Sequence, residues 1–193
     1  VLDFGLGGTI TRYVVKYRST NNKEGEQNFL GMAFWIYALL SFIVAVVGLV
    51  VLFFIPQIFN EISASQVRTV SIIFGILILK TCIDLFNHAY SGLYAAYEQF
   101  AYNKILTLVG IGIRFGLVLS FIHIYQSAIV VAIVDLLVVI VKLIVNIFML
   151  KRSTSSRIKL NKWDSLLFKE VLGFTSSIFI ATIVNQFNSN IDN

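Results

Sequence analysis

Long apolar runs separated by short polar segments dominate this sequence. Four of the runs are long enough to cross a bilayer, which takes about 20 helical residues: residues 34–55, 70–94, 105–125 and 127–150. A fifth run, residues 171–187, becomes polar towards its end, and residues 1–17 look like the inner end of a further helix. The pattern therefore predicts an all-α polytopic membrane protein with four complete spans and two partial ones.

The composition agrees with this interpretation. Of the 193 residues, 58% are hydrophobic and 13% are charged, whereas a soluble domain is about 45–50% apolar and about 25% charged. A net charge of +5 would suggest nucleic acid in a soluble protein. Here Lys and Arg concentrate in alternate loops, as the positive-inside rule requires. We therefore expect no nucleic-acid partner, with segments 16–29, 99–104 and 151–170 in the cytoplasm and segment 56–69 and Gln126 outside.

One predicted span carries a polar stripe. Lys80 and Asp84 lie one turn apart in the middle of it, and four further polar residues share their helix face, namely Asn87, Ser91, Tyr94 and Glu98. Such a stripe is too costly to face lipid and is expected to face a bundle interior or water. His88 lies at the edge of the stripe, and a lone histidine beside tyrosines is more often a satisfied side chain than a proton carrier.

Three more charges interrupt the following spans: Arg114, Asp135 and Lys142. Asp135 and Lys142 share one helix face, which Asn146 joins. Each of the five intramembrane charges would cost about 3 kcal/mol facing lipid, so on the order of 15 kcal/mol together, and we expect them to share an interior. Because three are basic, we predict that Lys80, Arg114 and Lys142 bind an anionic substrate group such as a phosphate.

The two acids have a structural alternative. Lys80 and Asp84 are spaced for an i,i+4 ion pair, and Asp135 is positioned to pair with Arg114 across helices. Buried pairs can lock packing without transport chemistry, so Asp84 and Asp135 stay divided between ion coupling and ion pairing.

On the opposite face of the helix from Arg114 lie two glycines spaced as a small-xxx-small packing pair, Gly112 and Gly116.

Three stretches carry a family resemblance. They are residues 3–13 (DFGLGGTITRY) with the basic turn 16–18, residues 92–100 (GLYAAYEQF) and residues 185–192 (NQFNSNID). Together they resemble the polysaccharide-unit flippases of the multidrug/oligosaccharidyl-lipid/polysaccharide exporter superfamily. The resemblance covers the whole chain and implies a fragment spanning about helix two to helix seven of a two-bundle exporter fold. Residues 1–170, with the basic loop 151–170, would form most of the N-terminal bundle, and residues 171–193 the truncated first helix of the second.

The resemblance also implies a function. The full protein would flip oligosaccharide units linked to undecaprenyl pyrophosphate across the bacterial inner membrane by alternating access, for O-antigen, capsule or exopolysaccharide synthesis. Arg12 lies where the family's glycine-rich segment meets the cytoplasmic side, and is expected to contact the pyrophosphate. The implied partners are the lipid-linked oligosaccharide, the lipid bilayer, a polysaccharide polymerase and glycosyltransferases.

Two other functions compete with this interpretation. A multidrug or cation antiporter of the same superfamily would be expected to have an acidic cavity, whereas the predicted interior is positive. A membrane enzyme of polysaccharide assembly would need a reactive cluster that faces water. The sequence shows no metal-ligand cluster, no Ser-His-Asp constellation and no nucleotide-binding loop. We therefore expect a transporter rather than an enzyme, with no catalytic residue, metal or cofactor.

Overall fold

The computed structural model describes residues 5–58, 63–125, 127–153 and 163–177, together with residue 158. Its five full helices are α1 (Leu6–Ser19), α2 (Lys23–Ile58), α3 (Ala64–Ala96), α4 (Phe100–Tyr125) and α5 (Ala128–Ser153). Residues 165–177 are helical as well, and no strand occurs in the ranges described. The predicted all-α fold class is confirmed.

Four of these helices, α2 to α5, are long and apolar enough to cross a membrane. Each corresponds to one of the four predicted apolar runs, to within one residue at the start of α5. Helices suit this environment because every backbone hydrogen bond along them is made within the segment. Many of their large apolar side chains point outward, such as Phe53 on α2 with 72% of its surface exposed. The chain is therefore a multi-pass membrane protein, as the sequence predicts.

The helices are longer than the apolar runs that predict them. Helix α2 begins at Lys23, inside the segment expected to be a loop, and continues through Pro56 to Ile58. The apolar run that predicts this span stops at residue 55, so the helix extends past it by less than one turn. Proline removes its own N–H bond to the preceding turn, but a helix that ends in lipid leaves several carbonyls unpaired. Near the end of a helix, the one hydrogen bond lost at the proline therefore costs less than the additional unpaired carbonyls that an earlier helix end would leave in lipid.

The structure divides into two compact units. The first comprises the described parts of Val1–Ile36, His88–Phe100 and Lys151–Asn193, and the second those of Tyr37–Asn87 and Ala101–Leu150. Helices α2 and α3 each contribute segments to both units. The predicted bundle boundary at residue 170 remains a prediction.

In the first unit, α1 and α3 approach so closely that one glycine can carry no side chain. A Cβ atom at Gly92 would lie 2.9 Å from the Cα of Gly7. The hydroxyl of Thr11 donates a hydrogen bond of 2.9 Å to the carbonyl oxygen of Gly92, which holds this contact together. Two of the stretches that carry the family resemblance, residues 3–13 and 92–100, are thus in direct contact.

The basic last turn of α1 contacts the end of α3. The guanidinium of Arg18 donates a hydrogen bond of 2.8 Å to the carbonyl oxygen of Ala96, the last residue of α3, and stacks 4.1 Å from the ring centroid of Tyr97. A cation is favourable at a helix C-terminus, where unpaired carbonyls carry partial negative charge. The Tyr97 hydroxyl donates in turn to the carboxylate of Glu26. These contacts order the predicted cytoplasmic end of the first unit.

The helical residues 165–177 pack against α1 within the same unit. The hydroxyls of Thr9 and Thr175 lie 3.0 Å apart in a buried hydrogen bond. At the end of α1, burial raises the pKa of the Tyr17 phenol above its ordinary value, and nearby carboxylates add to the rise. The Thr9–Thr175 hydrogen bond places this helical segment beside the glycine-rich start of the chain.

Candidate functional site

The second unit contains a cavity of about 190 Å³ lined by α3, α4 and α5. Its polar lining consists of Lys80, Asp84, Thr107, Arg114, Asp135 and Lys142. The remainder of the lining is apolar or glycine: Leu106, Gly110, Ile111, Val138 and Val139. The five charges that the sequence places inside the membrane therefore do share one cavity, as predicted.

Helical periodicity explains why these residues meet. Lys80 and Asp84 are one turn apart on α3, and Asp135 and Lys142 are two turns apart on α5. On α4, Arg114 follows Thr107 and Gly110 at the spacing that puts all three on one face. Each helix therefore contributes one polar stripe to the cavity.

Asp135 is the centre of the charge cluster. One of its carboxylate oxygens lies 3.0 Å from the ammonium nitrogen of Lys80, and the other pairs with the guanidinium of Arg114. The Asp135 side chain is only 9% exposed, whereas those of Lys80 and Arg114 are 29% and 50% exposed. The predicted pair between Asp135 and Arg114 is confirmed, and Lys80 joins it from a third helix.

Lys142 is the third cation of the cavity. Within the described part of the chain, no carboxylate lies at ion-pairing distance from Lys142. Asp84, the second acid, accepts a hydrogen bond of 3.5 Å from the side-chain amide of Asn87. With three bases and two acids, the lining carries one net positive charge, and Lys142 is the cation that Asp135 does not neutralise.

A buried pair of amides supports this cavity. Asn87 and Asn146 are 3% and 1% exposed, and the amide nitrogen of Asn146 donates a hydrogen bond of 2.9 Å to the amide oxygen of Asn87. Asn87 donates in turn to the carbonyl of Val139 at 3.3 Å. The sequence places each amide on the correct helix face but does not connect them. The signal in the sequence is a single amide in each of two apolar runs, residues 70–94 and 127–150.

The whole sequence, residues 1–193, matches the family described as polysaccharide biosynthesis protein. The chain belongs to this family. A solved structure with a similar fold is that of a multidrug resistance MATE family transporter of the MOP superfamily in an inward-facing conformation, with a TM-score of 0.73. At 20% identity this likeness shows the fold alone, and it covers 93% of this chain and 43% of the transporter.

This member of the polysaccharide biosynthesis protein family therefore has the fold of part of a MOP superfamily transporter. The chain spans less than half the length of that transporter, 43%. No protein with a curated function matches the sequence. The family and the exporter fold that the sequence resembles are both confirmed.

Only part of the predicted polar stripe on α3 lines the cavity of this family member. Lys80 and Asp84 do so, whereas Ser91, Tyr94 and Glu98 belong to the first unit, as does His88. Glu98 does not continue the stripe as predicted, because α3 ends at Ala96 and Glu98 has a left-handed backbone with a φ of 58°.

The predicted glycine packing on α4 is absent from the described part of the structure. A Cβ atom added at Gly112 or Gly116 would meet no described atom within 4 Å. Their surroundings on α4 are open, with Ile113 and Phe115 also exposed. Spacing alone predicts which residues share a face, but it does not say whether a neighbour covers that face.

Arg12 belongs to the first unit and is not among the residues that line the cavity. Its guanidinium stacks 4.2 Å from the ring centroid of Phe174. Its predicted contact with the substrate stays a prediction. The polar stretch 185–192 lies outside the described residues, as do residues 154–157 and 159–162 of the basic loop.

Proposed function

We propose that the full-length protein is a flippase for oligosaccharide units linked to undecaprenyl pyrophosphate. It would move them from the inner to the outer leaflet of the bacterial cytoplasmic membrane by alternating access, for O-antigen, capsule or exopolysaccharide synthesis. The family and the fold support transport in polysaccharide synthesis rather than catalysis. The observation that carries the proposal is the convergence of Lys80, Arg114 and Lys142 on one intramembrane cavity.

The chemistry of the three cations suits a pyrophosphate. A guanidinium binds phosphate oxygens with two parallel hydrogen bonds, and the two ammonium groups supply compact charges that adapt to the ligand. These interactions are stronger in a membrane interior than in water, because the surroundings screen them less. An anion is therefore the ligand that offsets the positive charge of this lining.

The size of the cavity limits what it can hold. Pockets that enclose drug-sized ligands occupy about 300–1,000 Å³, whereas this cavity has a volume of about 190 Å³. It suits a charged head group rather than a whole oligosaccharide. We propose that the pyrophosphate binds here and that Arg12, in the first unit, contacts it at the cytoplasmic side during loading.

The neutral variant Lys142→Ala tests this proposal in the full-length protein. We expect it to lower export of surface polysaccharide at least tenfold, with unchanged protein in the membrane, because Lys142 faces the cavity without an ion-pair partner among the described residues. Lys104→Ala is the matched control, since Lys104 is an exposed cation in the first turn of α4. Normal export with Arg114 and Lys142 both replaced by alanine would contradict the proposal.

Asp84 and Asp135 both line the cavity, and we propose that one of them couples transport to protons or sodium ions. A gradient imposed on proteoliposomes tests this role. A response that survives both Asp84→Asn and Asp135→Asn would exclude it.

A further inference from the structure

We infer that Asp135 is an internal competitor of the substrate anion. It occupies Lys80 and Arg114 in the empty cavity, is displaced from them when a diphosphate binds, and recovers both cations when the diphosphate leaves. This inference rests on the proposed function and assigns the release step of that site to one carboxylate of the protein.

The geometry of Asp135 is that of a shared counter-ion. Its two oxygens engage two cations that come from different helices, Lys80 on α3 and Arg114 on α4. The carboxylate is nearly buried, while half of the Arg114 side chain is exposed. Both cations are thus more exposed than the carboxylate that neutralises them.

A bound diphosphate and an intact Asp135 cluster compete for the same donors. Lys80 and Arg114 cannot give their best hydrogen bonds to two anions at once, and two anions that share a weakly screened cavity repel each other. Full neutralisation of the diphosphate by all three cations thus requires Asp135 to give up at least one of its pairs. The same carboxylate then opposes retention of the ligand.

Such competition would help the site to release its ligand, which a transporter must do as readily as a channel. A site must bind well enough to load and weakly enough to release. A cavity with three uncompensated cations would hold a diphosphate too tightly for rapid turnover. With Asp135 present, Lys142 is the cation available for the first contact, and it lies two turns from Asp135 on the same helix.

Binding of inorganic pyrophosphate to the purified full-length protein tests the inference by calorimetry. We expect Asp135→Asn to bind pyrophosphate at least tenfold more tightly than the unmodified protein, because both cations are released for the ligand. Asp84→Asn is the matched comparison, since it removes the same charge from the same cavity but not the shared partner of Lys80 and Arg114. Its gain in affinity should be at least threefold smaller.

A second measurement covers the case in which Asp135→Asn is unstable without ligand. The inference then predicts that pyrophosphate restores a monodisperse gel-filtration profile, whereas sodium chloride at equal ionic strength does not. Equal rescue by both salts, or no rescue, would overturn it.

The outcomes separate this inference from the proposed function. Binding to the unmodified protein that depends on Lys142, with equal or weaker binding by Asp135→Asn, would make Asp135 a static ion-pair partner and leave the flippase proposal standing. An equal gain in affinity for both Asp variants would also overturn the inference, because net charge alone would explain it. No pyrophosphate binding by the unmodified protein or either variant would contradict both proposals.

Discussion

Single polar residues in apolar helices carry most of the information in this sequence. The cost of exposing a charge to lipid makes Lys80, Arg114 and Lys142 recognisable as interior residues without a structure. Their helix faces also follow from spacing. The choice of partners does not, because it depends on the rotation and depth of each helix. Spacing therefore suggests a pair between Lys80 and Asp84, while the structure shows that Asp135 binds Lys80 as well as Arg114.

The amide pair gives a prediction about stability. Replacing either Asn87 or Asn146 by alanine removes the hydrogen bond that joins these two buried amides, which costs about 1–3 kcal/mol. The double variant should lose less than the sum of the two single losses, because the amides bond to each other. Unfolding in mixed detergent micelles measures these free energies. Strictly additive losses would show that the pair contributes nothing as a pair.

At the scale of helices, the apolar runs predict which segments span the membrane but not where the helices end. Helix α2 continues beyond the hydrophobic run at both ends, because backbone hydrogen bonding and caps set helix ends, whereas hydrophobicity sets only the part in lipid. The spacing of residues along a helix also does not show which other helix packs against it. The glycines at 112 and 116 have the spacing of a packing motif and meet no described atom, whereas Gly92 lies at a tight helix contact that spacing does not identify.

A side chain at Gly92 should weaken the contact between α1 and α3. A methyl group there would overlap the backbone of Gly7, so Gly92→Ala must push α1 and α3 apart. We expect a loss of roughly 1–3 kcal/mol in stability, which is typical of overpacking, and a smaller amount of protein in the membrane. Gly116→Ala is the matched control, since it has open space around it among the described residues. Equal tolerance of both changes would contradict the close contact.

At the scale of the whole molecule, the helical class, the four spans and the family could all be predicted from the sequence. Hydropathy identifies the spans, because the thickness of the bilayer sets how long the apolar part of a spanning helix must be. The family could be predicted from short stretches of sequence rich in glycine and basic residues. The structure gives some of these residues a physical role. Gly7 and Gly92 allow α1 and α3 to pack closely, and Arg18 caps the end of α3. The identity of the transported molecule does not follow from these features, and so it rests on a functional test.

Flipping by the reconstituted full-length protein tests the central claim most directly. Proteoliposomes would contain a fluorescent oligosaccharide on undecaprenyl pyrophosphate, and an added membrane-impermeant quencher would report how fast the labelled lipid crosses the bilayer. The account predicts rapid crossing with the unmodified protein and with Lys104→Ala, and crossing slowed at least tenfold by Lys142→Ala. Crossing at the rate of empty liposomes with the unmodified protein, or at an undiminished rate with Lys142→Ala, would contradict it.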